Sequence, residues 1–187
     1  GTESGNAIAE VLFGDYNPSG KLPMTFPRSV GQVPIYYNYL NTGRPGPKKE
    51  VFWSHYTDET NEPLYAFGYG LSYTTFEYSD LKIDTTDNKN IQVSATITNT
   101  GKVAGEEVAQ LYIRDKVASV SRPVKELKGF QKFSLKPKQS KTVSFSLTEK
   151  ELGFYDNQGK WILEKGEFEV YVGTNSQTQN KKSFELK

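Results

Sequence analysis

The strongest constraint on the fold is an alternation with a period of two that recurs along the second half of the chain. Ile91, Val93, Ala95 and Ile97 alternate with Gln92, Ser94, Thr96 and Thr98. Ala109, Leu111 and Ile113 alternate with Gln110, Tyr112 and Arg114, and Val143, Phe145 and Leu147 alternate with Thr142, Ser144 and Ser146. Phe168, Val170 and Val172 alternate with Glu167, Glu169 and Tyr171. Successive side chains of a strand point to opposite faces, so each stretch predicts an antiparallel strand with one apolar face and one wet face. Further strands are predicted at 75–83, 126–135, 160–164 and 182–186. Turn chemistry separates them at Asn99-Thr100-Gly101, Lys136-Pro137-Lys138, Asp156-Asn157-Gln158-Gly159 and Gly173-Thr174-Asn175. Seven or eight short strands at this spacing make an all-β sandwich. Phe130 and Phe133 break the alternation after Gly129, which predicts a bulge there. Tyr and Phe together supply 23 residues, and rings with β-branched neighbours suit sheets.

The first 62 residues follow another pattern. Residues 5–13 predict a short helix with Ala7, Ile8, Val11 and Leu12 on one face, stopped by Gly14 and a turn at 15–20. Leu22 to Phe26 predicts a short extended piece. A helix of this length is not stable alone, so its apolar face needs a partner. The chain opens on Gly1-Thr2-Glu3-Ser4 with neither an initiator Met nor a signal peptide, as if cut from something longer. Residues 1–40 therefore read as the remnant of a larger α/β domain. Residues 41–62 read as a linker, with two Pro and two Gly between Gly43 and Pro47.

Between linker and strands lies Pro63-Leu64-Tyr65-Ala66-Phe67-Gly68-Tyr69-Gly70-Leu71-Ser72-Tyr73-Thr74-Thr75-Phe76, with five aromatics and two glycines. Gly70-Leu71-Ser72-Tyr73-Thr74 lacks the last glycine of a nucleophile elbow and has no helix after it, so Ser72 belongs to a structural turn. Gly68-Tyr69-Gly70 has Tyr73 where a dinucleotide fingerprint needs its third glycine. The glycines are instead expected to permit close backbone approach or positive φ between buried rings.

Other chemistry is narrowed by what the sequence holds. With no Cys, disulfides, thiol catalysis and Cys-ligated zinc are excluded. A net charge of +1 with interspersed signs gives no case for nucleic acid. No apolar run approaches the 18 residues of a membrane span. The densest acids are Glu106-Glu107 and Glu164, Glu167 and Glu169. Alternation puts Glu167 and Glu169 on a solvated face rather than in a metal site, and no cofactor is expected. Asn17-Pro18-Ser19 is no glycosylation acceptor, because Pro fills its middle position. His55 is the single histidine, and no base–nucleophile motif surrounds it.

The best binding constellation is Trp53, His55, Tyr56 and Asp58. Rings stack on sugar faces and a carboxylate accepts hydrogen bonds from hydroxyls, so Trp53, Tyr56 and Asp58 are candidate substrate-binding residues. The competing expectation is that Trp53 and Tyr56 cover a seam between two domains.

Several strings together resemble glycoside hydrolase family 3, the β-glucosidase and β-xylosidase family. Residues 5–23, from Gly5-Asn6-Ala7-Ile8-Ala9-Glu10 to Gly20-Lys21-Leu22-Pro23, resemble the end of its second domain. The run from Pro63 to Phe76 resembles the entry to its C-terminal fibronectin type III-like domain. Val108 to Asp115 and Ser121 to Phe130 resemble the middle strands of that domain, and Gly166 to Gly173 its closing hairpin. The resemblance implies an immunoglobulin-like sandwich over 63–187. It also implies a parent enzyme that hydrolyses terminal β-linked sugars with retention, in the periplasm or outside the cell. The barrel that carries the family's aspartate nucleophile needs about 200 residues or more and has no room here. No catalytic residue is carried over, and Glu3, in its Gly-x-Glu-x-Gly string, reads as structural. This chain alone is expected to be inactive, meeting a glycoside only together with the absent domains. Two other functions fit a lone sandwich: an autonomous carbohydrate-binding module, or a protein-interaction module.

Overall fold

The computed structural model describes residues 1–44 and 52–187. Two sheets form the sandwich. One has three strands in the order β1 (Phe76–Asp84), β2 (Ile91–Asn99), β5 (Ser140–Leu147). The other has four, in the order β4 (Glu126–Leu135), β3 (Gly105–Asp115), β8 (Gly166–Gly173), β9 (Lys181–Leu186). All pairings within them are antiparallel. A two-residue pair, β6 (Phe154–Tyr155) with β7 (Trp161–Ile162), stands apart, so of 160–164 only its middle forms a ladder.

The inner faces supply one core. Ile91, Val93, Ala95 and Ile97 of β2 meet Ala109, Leu111 and Ile113 of β3, with Val143, Phe145, Phe168, Val170 and Val172 completing the layer. A core Leu or Ile removed from water stabilises by roughly 1.5–3 kcal/mol. The sandwich therefore owes its stability to this layer. The bulge expected near Gly129 is present: Leu111 faces Gly129 while the next residue, Tyr112, faces Leu127. It leaves Phe130 exposed and returns Phe133 to the core.

Side chains close the turns. Buried Asn99 donates from Nδ2 to the carbonyls of Val103 and Leu135, while its Oδ1 accepts from Thr74 Oγ1 and the Gly101 amide. Lys138, with φ 65°, follows Pro137 in a turn closed by the Gln139 amide on the Lys136 carbonyl. Asp156 Oδ1 accepts from the amides of Gln158 and Lys160, which leaves Gly159 at φ 74°.

The expected wet outer face holds for β2 and β5 but fails for β3 and β8. Gln110 and Tyr112 are buried, as are Glu169 and Tyr171. Over β3 the cause is a cover laid on the four-stranded sheet by the N-terminal segment, whereas Glu169 and Tyr171 of β8 lie against Lys125, Lys181 and Arg114. Tyr37 stacks on Phe67 at 4.2 Å and meets Tyr112 edge-on at 5.9 Å. Gln110 Nε2 donates to the carbonyls of Gly68 and Thr174. Gly68, at φ +78°, has no room for a Cβ, which would stand 2.0 Å from Gln110 Oε1. A Cβ on Gly70 would stand 2.3 Å from the carbonyl oxygen of Gly20. Both glycines thus serve close approach, as expected. The rings around them are half-exposed rather than buried, Tyr65 and Tyr73 among them.

The covering segment starts with α1 (Ser4–Phe13), ended by Gly14 in the left-handed region. None of its residues is buried, so its apolar face lies open. Leu22 and Phe26 pair with the aromatic run: the Leu22 amide donates to the Tyr69 carbonyl and the Phe26 amide to that of Tyr65. Asn17 Oδ1 accepts from Ser72 Oγ and the Tyr73 amide, and its Nδ2 reaches the Ala104 carbonyl. Ser72 is accordingly a turn residue.

Candidate binding segment

Residues 52–62 form an exposed loop built from side-chain-to-backbone hydrogen bonds. Asn61 closes it, accepting from the Tyr56 amide at 3.2 Å and donating to the Ser54 carbonyl at 2.9 Å. At its start the Ser54 amide donates to the Arg44 carbonyl, and the Arg44 guanidinium lies over the Phe52 ring. Phe52 and Trp53 lie 6.2 Å apart between ring centres, and His55 Nδ1 is 2.7 Å from the Trp53 carbonyl. The loop thus holds Trp53, His55, Tyr56 and Asp58 on one excursion of the chain. Trp53 is half-buried, Tyr56 is 42 % exposed, and His55 and Asp58 are exposed. The part of the expected linker at 45–51 lies outside the described residues.

The foot of the loop rests on a residue that sequence reasoning missed. Gln32 ends a short 3-10 turn at Val30–Gln32 and is only 2 % exposed. Its Nε2 donates to the Thr60 carbonyl at 2.8 Å and, longer, to that of Glu62 at 3.4 Å. Its Oε1 accepts from the Arg28 amide at 2.6 Å, and Arg28 Nε donates to the Glu62 carbonyl at 3.1 Å. On the other side, Gln177 Nε2 donates to Glu62 Oε2 at 2.6 Å. In sequence, Gln32 carries no periodicity or motif, and its role depends on chain about 28 residues further on.

The acids singled out for metal chemistry all have other partners. Glu106 bonds Lys132 and Ser19, whose donors hold its carboxyl below the usual range. Glu107 is buried, accepting from Tyr78 Oη at 2.8 Å and facing Lys21 Nζ at 3.3 Å. Burial first, then the Glu107 charge, pushes the Tyr78 hydroxyl far above its ordinary value. Glu164 accepts from the Ser119 amide, and Glu167 pairs with Lys116. Glu169, expected in water, is 7 % exposed. Burial opposes its ionisation, but hydrogen bonds from Lys181 Nζ and Tyr171 Oη, each 2.6 Å, outweigh it and lower the pKa. Among the described residues, no group of three or more His, Asp or Glu is placed to hold a metal ion. No described helix is long and apolar enough to cross a membrane.

Three strands on four, entered through a glycine-aromatic segment, define a fibronectin type III-like domain. Residues 107–176 match the family model of the fibronectin type III-like domain, and residues 1–73 match that of the glycosyl hydrolase family 3 C-terminal domain. The chain belongs to glycosyl hydrolase family 3, as a C-terminal part of its members. It is 55% identical to a periplasmic beta-glucosidase of Salmonella typhimurium, with 100% of this chain aligned to 25% of that protein. It is 48% identical to a putative beta-xylosidase of Formosa agariphila, over 97% of this chain and 23% of that one. The crystal structure of a beta-glucosidase from Listeria innocua in complex with isofagomine superposes with a TM-score of 0.92 at 45% identity. That match covers 100% of this chain and 27% of the Listeria chain. The chain thus spans about a quarter of the length of the curated relatives it matches.

Proposed function

We propose that this chain is the non-catalytic C-terminal part of a β-glucosidase-like enzyme that hydrolyses terminal β-D-glycosidic bonds with retention. The observation that carries this is the match, at 55% identity over 100% of the chain, to a protein named a periplasmic beta-glucosidase. The same likeness supports a periplasmic or extracellular location. In this proposal residues 1–40 complete the preceding α/β domain, 41–62 are a linker, and 63–187 form the sandwich domain. The nucleophile and the acid/base carboxylate belong to the domains upstream, and the sandwich contributes stability and holds the linker in place.

Trp53, Tyr56 and Asp58 serve the aglycone side of the pocket in the full-length enzyme. Their support is the exposed loop described above, which carries two rings and a carboxylate on one short excursion of the chain. Tyr56→Ala and Asp58→Ala in the full-length protein are expected to raise KM for a β-linked disaccharide. Wild-type KM and kcat in both variants would overturn this assignment. Hydrolysis of neither an aryl β-glucoside nor an aryl β-xyloside by the full-length protein would overturn the enzymatic proposal.

A further inference from the structure

We propose that Gln32 is a positioning residue for the 53–58 loop, and through it for the sugar bound beyond the scissile bond. The second half of this statement rests on the function proposed above; the first half does not.

Gln32 uses both ends of its amide. Its oxygen is fixed by the Arg28 amide at 2.6 Å, which orients the nitrogen toward the Thr60 carbonyl at 2.8 Å. A buried amide left without these partners loses its hydrogen bonds with no water to replace them, so the arrangement is held in one geometry. Thr60 and Glu62 flank Asn61, whose side chain closes the loop onto Ser54 and Tyr56. Fixing the carbonyls at 60 and 62 therefore fixes the residue that closes the loop, and with it the span holding Trp53, Tyr56 and Asp58. Arg28 holds the Glu62 carbonyl and Gln177 its carboxylate, but both of these contacts are exposed. Gln32 is the buried member of the set.

The substitution Gln32→Met keeps length and volume and removes every hydrogen bond. In the full-length protein, amide exchange at 53–61 should accelerate by about tenfold, the loss expected of one net hydrogen bond. Exchange in β2, β3 and β8 should stay at the wild-type rate. KM for a β-linked disaccharide should rise several-fold, with kcat for an aryl glycoside little changed. If Gln32→Met does not accumulate, Gln32→Asn stays uncharged, is one methylene shorter, draws the donor back from the Thr60 carbonyl and gives the same readout. Wild-type exchange at 53–61 in either variant overturns the positioning role, whatever the kinetics. Faster exchange there, with KM unmoved in Gln32→Met, Tyr56→Ala and Asp58→Ala alike, upholds the positioning role and overturns the substrate assignment instead.

Discussion

The sandwich and the segment before it are held by different forces. From Phe76 on, apolar side chains meet each other across two sheets, and β2 alone contributes four fully buried ones. Among the described residues before Phe76 the buried side chains are small or polar, namely Ser19, Gln32, Ala66 and Thr74. That segment sits on the sandwich through hydrogen bonds made by Asn17, Lys21 and Gln110 and through the stack of Tyr37 on Phe67, which meets Tyr112. Its large apolar residues, including Ile8, Leu12, Phe13 and Val30, face outward. One region has completed its core. The other spends its polar groups on the sandwich and leaves its apolar face free, which is how the edge of a larger assembly looks when seen from one side.

Leucine truncation in each region breaks this comparison most directly. Leu111 is fully buried at the centre of β3, and Leu111→Ala should cost about 2–5 kcal/mol in chemical or thermal unfolding. Leu12 is 71 % exposed at the end of α1, and Leu12→Ala should stay within about 0.5 kcal/mol in this chain. In the full-length protein the Leu12 cost should grow if another domain covers α1. Equal costs for the two substitutions in this chain would refute the contrast.

A smaller effect is expected where the regions meet. Gly68→Ala puts a side chain at φ +78° and drives its Cβ against the Gln110 amide. The backbone strain is worth about 1–3 kcal/mol. The loss should appear as faster amide exchange over 63–73, with the inner strands still protected. Wild-type exchange at 63–73 would show that the segment does not depend on this approach.

How much of this was legible in the sequence divides along the same line. In β2 the alternation gives both faces correctly, since Gln92, Ser94 and Thr96 remain partly solvated. In β3 and β8 the same pattern misplaces Gln110, Glu169 and Tyr171. Alternation records which face meets the opposite sheet; it carries no information about a segment 40 residues distant laid over the other face of β3, or about the lysines folded onto that of β8. Tyr112 held a hint, because a ring in a run as apolar as Val108 to Ile113 is compatible with burial on both sides. The glycines at 68 and 70 were legible as close approaches because nothing but hydrogen fits there. The loop at 52–62 was legible as a constellation of residue types, whereas its anchor Gln32 was not, being defined only by carbonyls that the fold brings to it.

The smallest expected effect concerns Lys125, which lies where the two regions share a loop. Its Nζ donates to the carbonyls of Ser176 and Thr178 at 2.7 and 3.2 Å and sits 4.0 Å from the centre of the Tyr171 ring. The same loop bonds the first region through the Ser176 amide to Phe67 and through Gln177 to Glu62. Burial, then the neighbouring Lys181, pushes the Lys125 ammonium down to about 8, with Glu169 opposing and Arg114 assisting. The unfolded chain keeps this lysine protonated up to about 10.4. Between those values the unfolded state binds more protons, so the contribution of Lys125 to stability increases as pH rises. Tyr171, raised to about 12 by burial first and then by Glu169, has the opposite dependence, but it remains in a Lys125→Met variant. The stability of wild type relative to Lys125→Met should therefore improve between pH 8 and 9.5, by about 1 kcal/mol once solvent screening is allowed for. Urea unfolding of both proteins at the two pH values measures it. A difference that stays flat, or that falls with pH, would mean that the carbonyls of Ser176 and Thr178 and the Tyr171 ring solvate the ammonium at least as well as water does. The loop would then join the regions without electrostatic cost.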